Sequence, residues 1–89
     1  MKQENILEKT ARALSLPGDV VAGLPRVEIT GSRELRMENH RGILAYGSSE
    51  IHVSGGKLIL CVRGENLQLK AMNPYELLIT GEIAGVDFV

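Results

Sequence analysis

The sequence predicts a mainly β protein: a short N-terminal helix followed by an antiparallel β-meander of about eight short strands. Two observations carry the meander. From Arg26 onward apolar and polar residues alternate with a period of two, the pattern of half-buried strands. Short breaks containing glycine, serine or proline interrupt that alternation at intervals of roughly eight to ten residues, as turns between strands do. A third observation separates the N-terminus from the rest, because the apolar spacing before Pro17 is helical.

The helix is expected over residues 2–15. Leu7, Ala11 and Leu14 fall at i, i+4 and i+7, with Ile6 and Thr10 beside them, which makes one apolar stripe. Pro17-Gly18 ends it. Residues 16–25 form a connector, and Pro25 biases Leu24 toward an extended conformation. Residues 26–89 hold the meander, and with 89 residues the whole chain, 1–89, is expected to be a single domain.

Strands are expected at 26–30, 34–39, 42–46, 49–54, 57–63, 66–71, 75–80 and 83–88, with each break read as a hairpin turn. Gly31-Ser32-Arg33 then places Ile29 opposite Leu35 and Val27 opposite Met37. His40-Arg41 places Met37 opposite Leu44, and Gly47-Ser48 places Leu44 opposite Ile51. Gly55-Gly56 sets Val53 against Leu58, and Gly64-Glu65 sets Val62 against Leu67. Met72-Asn73-Pro74 sets Leu69 against Leu77, and Gly81-Glu82 sets Leu77 against Val86. All of these turns agree on one dry face: Val27, Ile29, Leu35, Met37, Leu44, Ile51, Val53, Leu58, Leu60, Val62, Leu67, Leu69, Leu77, Ile79, Val86 and Phe88. Each such side chain contributes roughly 1.5–3 kcal/mol when buried, so the sheet must curl into a barrel, fold into a sandwich or pair with another copy. A β-solenoid is the alternative geometry. The opposite face carries a second apolar set, Ile43, Ile59, Cys61, Leu78 and Ile83, among charged residues. The helix or a second subunit would cover it.

Chemistry is scarce in this pattern. His40 and His52 are expected at the surface, without a convergent ligand set. Cys61 lies in the most apolar strand and reads as a packed small hydrophobe. The serines sit at breaks, and neither a nucleophile elbow nor a phosphate-binding loop is spelled out. No catalytic, cofactor-binding or metal-ligating residue is assigned, and the expectation is that this is not an enzyme. A net charge of −1, two tyrosines and one phenylalanine give no case for nucleic acid. Neither a signal peptide nor a membrane-spanning run is read; a cytoplasmic protein, not inserted in a membrane, is expected.

One polar cluster stands out. In MENHRGILAY, Glu38, Asn39, His40 and Arg41 precede Gly42 and Ile43 at a break. Mixed polar loops of this kind order through side-chain to backbone hydrogen bonds. Glu38, Asn39, His40, Arg41, Gly42 and Ile43, together with Ile59, Cys61, Leu78 and Ile83, are therefore the candidate interaction residues.

That cluster lies inside LPRVEITGSRELRMENHRGILAY, which is followed by the spacings Gly56…Leu58, Gly64…Leu67…Leu69 and Leu77…Gly81…Ile83. The segment resembles the YabP/YqfC family of sporulation proteins, and the resemblance runs from the Pro17 region to Phe88. Leu24-Pro25-Arg26 and Glu38-Asn39-His40-Arg41-Gly42-Ile43 are its specific parts. Met37 stands where the family leads one to expect isoleucine, a tolerable core swap. The resemblance implies a small non-enzymatic protein of endospore-forming bacteria, acting in the mother cell as an assembly or adaptor module during spore formation. It also implies a protein partner, a membrane protein of the same pathway; a homo-oligomer is a further expectation. The rival reading is an Sm-like small β-barrel that binds RNA.

Overall fold

The computed structural model describes residues 24–89. The expected helix at 2–15 and most of the connector lie outside the described residues. Six strands follow: β1 (Arg26–Thr30), β2 (Glu34–Glu38), β3 (Ile43–Tyr46), β4 (Glu50–Ser54), β5 (Ile59–Met72) and β6 (Glu76–Phe88). They form one sheet in the order β1-β2-β6-β5-β4-β3, and every neighbouring pair is antiparallel. Among the described residues the terminal strands β1 and β3 each pair on one side only, so this sheet does not close into a barrel. Antiparallel neighbours within a single sheet also exclude the stacked coils of a solenoid for these residues.

Six strands replace the expected eight because two of the predicted turns are not turns. Gly64 pairs with Ile83 and Glu65 with Glu82, so the segments 57–63 and 66–71 merge into β5. The segments 75–80 and 83–88 merge into β6 in the same way. Glycine in a strand interior marks a bulge or a close approach of backbones as readily as a reversal. Here the register slips three times, between Arg63 and Gly64, between Glu65 and Gln68, and between Leu69 and Ala71. Asn66 takes φ 54° and Gly81 takes φ 139° beside the middle slip. A Cβ on Gly64 would overlap the carbonyl oxygen of Glu82.

These bulges fold the long hairpin over. Asn39 N–H bonds the Tyr75 carbonyl at 2.8 Å, and Arg41 N–H bonds the Ser54 carbonyl at 2.7 Å. Ser54 pairs with Ile59 at the start of β5, whereas Tyr75 lies past its end. A flat strand of this length would hold those ends roughly 46 Å apart at 3.3 Å per residue. Residues 39 and 41 can span only about 7 Å. One half of the sheet therefore comprises β3, β4, the start of β5 and the end of β6. The other comprises β1, β2, the end of β5 and the start of β6.

The predicted turn at His40-Arg41 is replaced by this crossing. β2 pairs with β6 rather than β3, with Leu35 opposite Ile79 and Met37 opposite Leu77. The β1–β2 hairpin has the expected register. At Gly55-Gly56 the loop covers four residues, 55–58, closed by Gly55 N–H to the Leu58 carbonyl at 2.9 Å. Val53 then faces Leu60 instead of Leu58, a shift of two that preserves the buried face. Near the other hairpin tip Leu69 faces Ile79 and Met72 faces Leu77.

The two inner faces share one core: Leu35, Met37, Ile51, Val53, Leu60, Val62, Leu67, Leu77 and Ile79, all buried. Each belongs to the expected dry face. The exceptions lie at ends and edges. Ile29 and Leu44 are exposed on the terminal strands, and Phe88 is 71% exposed at the end of β6. Ile43, expected outside, packs against the core, because β3 joins β4 through a register shift that sets Ile43 opposite Val53. Ile83 also packs inward, since β6 continues through Gly81 with its alternation unbroken from Ile79. The slip between Arg63 and Gly64 then restores Val86 to the same face.

Gly81 and Gly31 test whether the bend is a tight backbone contact. A Cβ on Gly81 would meet Asn66 O at 2.7 Å and the Leu67 Cα at 2.9 Å, whereas Gly31, at φ 57°, faces open space. Gly81→Ala is expected to lower the unfolding free energy by roughly 2–4 kcal/mol and Gly31→Ala by only about 1 kcal/mol. Urea denaturation of both variants measures the difference.

Candidate functional site

The segment from Glu38 to Ile43 is a strap between the two halves of the sheet. Glu38 ends β2, paired with Arg26 on one side and Glu76 on the other, its carboxylate 3.9 Å from the Arg26 guanidinium. Asn39 turns the chain with φ 64°, a conformation asparagine tolerates better than most residues. Its Nδ2 donates to the Leu24 carbonyl at 3.0 Å. His40 is buried, 6% exposed, which corrects its expected surface position. Its Nδ1 accepts the Gly42 N–H at 3.0 Å. The proton therefore sits on Nε2, which donates to the Asn73 carbonyl at 2.8 Å. Asn73 Oδ1 in turn accepts the N–H groups of Tyr75 and Glu76, both at 2.8 Å. One imidazole thus ties the strap to the tip of the β5–β6 hairpin. Arg41 and Gly42 complete the crossing by exchanging backbone bonds with Ser54, at 2.7 and 2.9 Å. Between strap and tip lies an open depression of about 320 Å³, lined by Asn39, His40, Arg41, Pro74 and Tyr75.

The remaining candidate interaction residues do not gather in one patch. Ile59 is half-buried at the start of β5, and Leu78 is half-buried on β6 in the other half of the sheet. The bend separates them. Ile83 faces the core, and Cys61, placed on the outer face by its alternation, is only 7% exposed.

A second cluster surrounds Cys61. His52 pairs directly with Cys61 across β4 and β5, and Glu50 lies two residues before His52 on the same face. His52 Nε2 and Glu50 Oε1 are 3.1 Å apart. One donor atom from each of Glu50, His52 and Cys61 lies within 4.8 Å of the other two. Beside them, Arg63 Nε donates to Asp87 Oδ2 at 2.7 Å, a bond that holds the guanidinium still more firmly protonated. Burial, then the Glu50 and Asp87 carboxylates, push the Cys61 thiol up against the opposing pull of Arg63. Alternation puts Glu50, His52 and Cys61 on the outer face, but the expected register does not bring the three together. Its two-residue loop at Gly55-Gly56 sets Cys61 against Glu50 and leaves His52 facing Ile59. The true four-residue loop slides the strands by two and sets His52 against Cys61.

The model of the YabP family matches residues 23–89, which contain the whole sheet and the strap. The chain belongs to the YabP family. A curated relative, the uncharacterized protein YqfC of Bacillus subtilis (strain 168), is 36% identical over 78 residues, covering 88% of this chain and 84% of that protein. No solved structure matches the chain. The expected resemblance is therefore shown on both counts, the YabP family and its YqfC member. Among the described residues, no helix is long and apolar enough to cross a membrane.

The strap supplies its own test. His40→Ala removes a buried imidazole with both of its bonds, to the half-buried Gly42 N–H and to the Asn73 carbonyl, and the expected cost is roughly 2–4 kcal/mol. Thermal denaturation followed by circular dichroism measures it. Amide exchange at Gly42 should accelerate in the same variant relative to Gly55, whose bond lies outside the strap.

Proposed function

We propose that this YabP-family chain is a non-enzymatic assembly module of spore formation in an endospore-forming bacterium. It acts in the mother-cell cytoplasm and docks a protein partner of the same pathway, a membrane protein. Family membership supports the link to sporulation. The observation that supports docking is the asymmetry of the two terminal strands. A strand that pairs on one side offers its other row of N–H and C=O groups to a partner. β1, Arg-Val-Glu-Ile-Thr, carries two charges. β3, Ile-Leu-Ala-Tyr, carries none, and its Leu44 and Tyr46 are both more than half exposed. The Tyr46 hydroxyl accepts the Leu69 N–H at 3.3 Å, which steadies this strand against β5. The strap leads directly into β3, so its buried histidine fixes where that edge is presented.

The test is complementation in a B. subtilis strain lacking YqfC, read as the yield of heat-resistant spores. The wild-type chain is expected to restore the yield at least tenfold over the empty strain. Leu44→Lys, which places a charge on the uncharged edge, is expected to fail while accumulating as folded protein. Full rescue by Leu44→Lys would remove β3 as the docking edge. Spore yield unaffected by loss of YqfC would remove the sporulation role itself.

A further inference from the structure

The docking reading leaves the Glu50–His52–Cys61 cluster without a purpose. Its three groups are a carboxylate, an imidazole and a thiol, all donors that zinc accepts. Two of them come from directly paired residues and the third from the same face of β4, so rigid sheet positions them rather than a loop. Zinc bonds of 2.0–2.3 Å at tetrahedral angles place ligand atoms roughly 3.3–3.6 Å apart. The His52 and Glu50 atoms are already 3.1 Å apart, and all three donors fit within 4.8 Å. Small side-chain rotations would close the remainder. The burial is graded in the sense an ion site needs. Cys61 is buried at the base, while the side chains of His52 and Glu50 are 33% and 55% exposed and open a path to solvent.

We propose that Glu50, His52 and Cys61 form a three-ligand site for a zinc-class divalent cation on the outer face of β4 and β5. The fourth position is left for water, as in open zinc sites. One thiolate and one carboxylate neutralise the dication, and neutral His52 adds no charge. Binding displaces the thiol proton to solvent, and the metal takes over the bond now shared by His52 Nε2 and Glu50 Oε1. The imidazole keeps one proton, on Nδ1. Asp87, which lies opposite Cys61 on β6, is occupied by Arg63 and stays outside the ligand set. Affinity should rise with pH, because the thiol must ionise to bind. The groups around it are Glu50 and His52 from β4, Arg63 from β5 and Asp87 from β6.

The test uses the full chain, freed of metal by a chelator and titrated with Co²⁺ as a spectroscopic stand-in. One Co²⁺ per chain is expected, with thiolate-to-cobalt charge-transfer absorption in the near ultraviolet that Zn²⁺ abolishes on displacement. Cys61→Ser should lose the band. His52→Ala should weaken binding at least about 100-fold, more than the 10–100-fold typical of groups that only support a ligand. If Cys61→Ser does not fold, His52→Ala decides, since it changes a partly exposed side chain; circular dichroism confirms its fold. Absence of the charge-transfer band in folded wild type at excess Co²⁺ overturns the proposal. So does a band that His52→Ala leaves unchanged, or a stoichiometry of one metal per two chains.

Discussion

The structure depends on the bend in the β5–β6 hairpin. Without it the strands would form a flat ribbon with one apolar face open to water, and nothing among residues 24–89 could cover that face. With it, Leu35, Met37, Leu77 and Ile79 from one half meet Ile51, Val53, Leu60 and Val62 from the other. The bend works by spending residues unequally. β5 takes up extra residues at two slips and β6 at one, so both strands change direction while remaining paired. Gly64 and Gly81 lie where the two backbones approach too closely for a side chain. Asn66 supplies the remaining positive φ. The inner alternation survives because each slip of one residue shifts the facing set and a neighbouring slip corrects it.

A bent ribbon held only by its apolar faces could slide. The strap opposes that motion with directional bonds. Asn39 and His40 grip the hairpin tip, and Arg41 and Gly42 grip Ser54. Because His40 is buried, each of its two bonds must be made or a ring nitrogen is left unsatisfied. Leu24 is drawn in by Asn39 as well, so the chain entering the sheet is tied to the same point. One short polar segment thereby fixes the two halves, the approach to β1 and the departure into β3.

The buried set was legible from Leu35 to Ile79 because alternation survives any register error of two. A turn read two residues short, as at Gly55-Gly56, moves partners along the strand without turning a side chain over. The same error hides anything that depends on which residues are opposite, and His52 with Cys61 is such a case. Glycine at 64 and 81 was ambiguous for a different reason: a reversal and a bulge ask for the same residue, and only pairing across the sheet distinguishes them. Alternation puts His40 in a hairpin turn, where a polar residue is usually exposed. In the fold His40 lies against Asn73, 33 residues away, which local periodicity does not bring near it. The Glu38–Ile43 run was nevertheless singled out, since mixed polar residues before a glycine need backbone partners wherever they fold.

The two outer strands show how a small open sheet divides its risks. An unpaired edge invites any passing strand, and β1 answers with Arg26 and Glu28, Arg26 lying near Glu38 of its neighbour. β3 has no such defence. It is four residues long, has a register irregularity beside it and ends in a tyrosine whose hydroxyl is engaged with β5. Shortness and irregularity limit promiscuous pairing without adding charge, so the edge stays usable by a partner that matches it. The proposed ion site spans β4 and β5, and among the described residues β4 is the strand that β3 pairs with. An ion there would stiffen β4 against β5 and, through β4, hold the uncharged edge at a fixed angle. Edge, strap and cluster thus all lie on or against the β3–β4 corner, while the charges of the edge strands lie on β1 at the other end of the sheet.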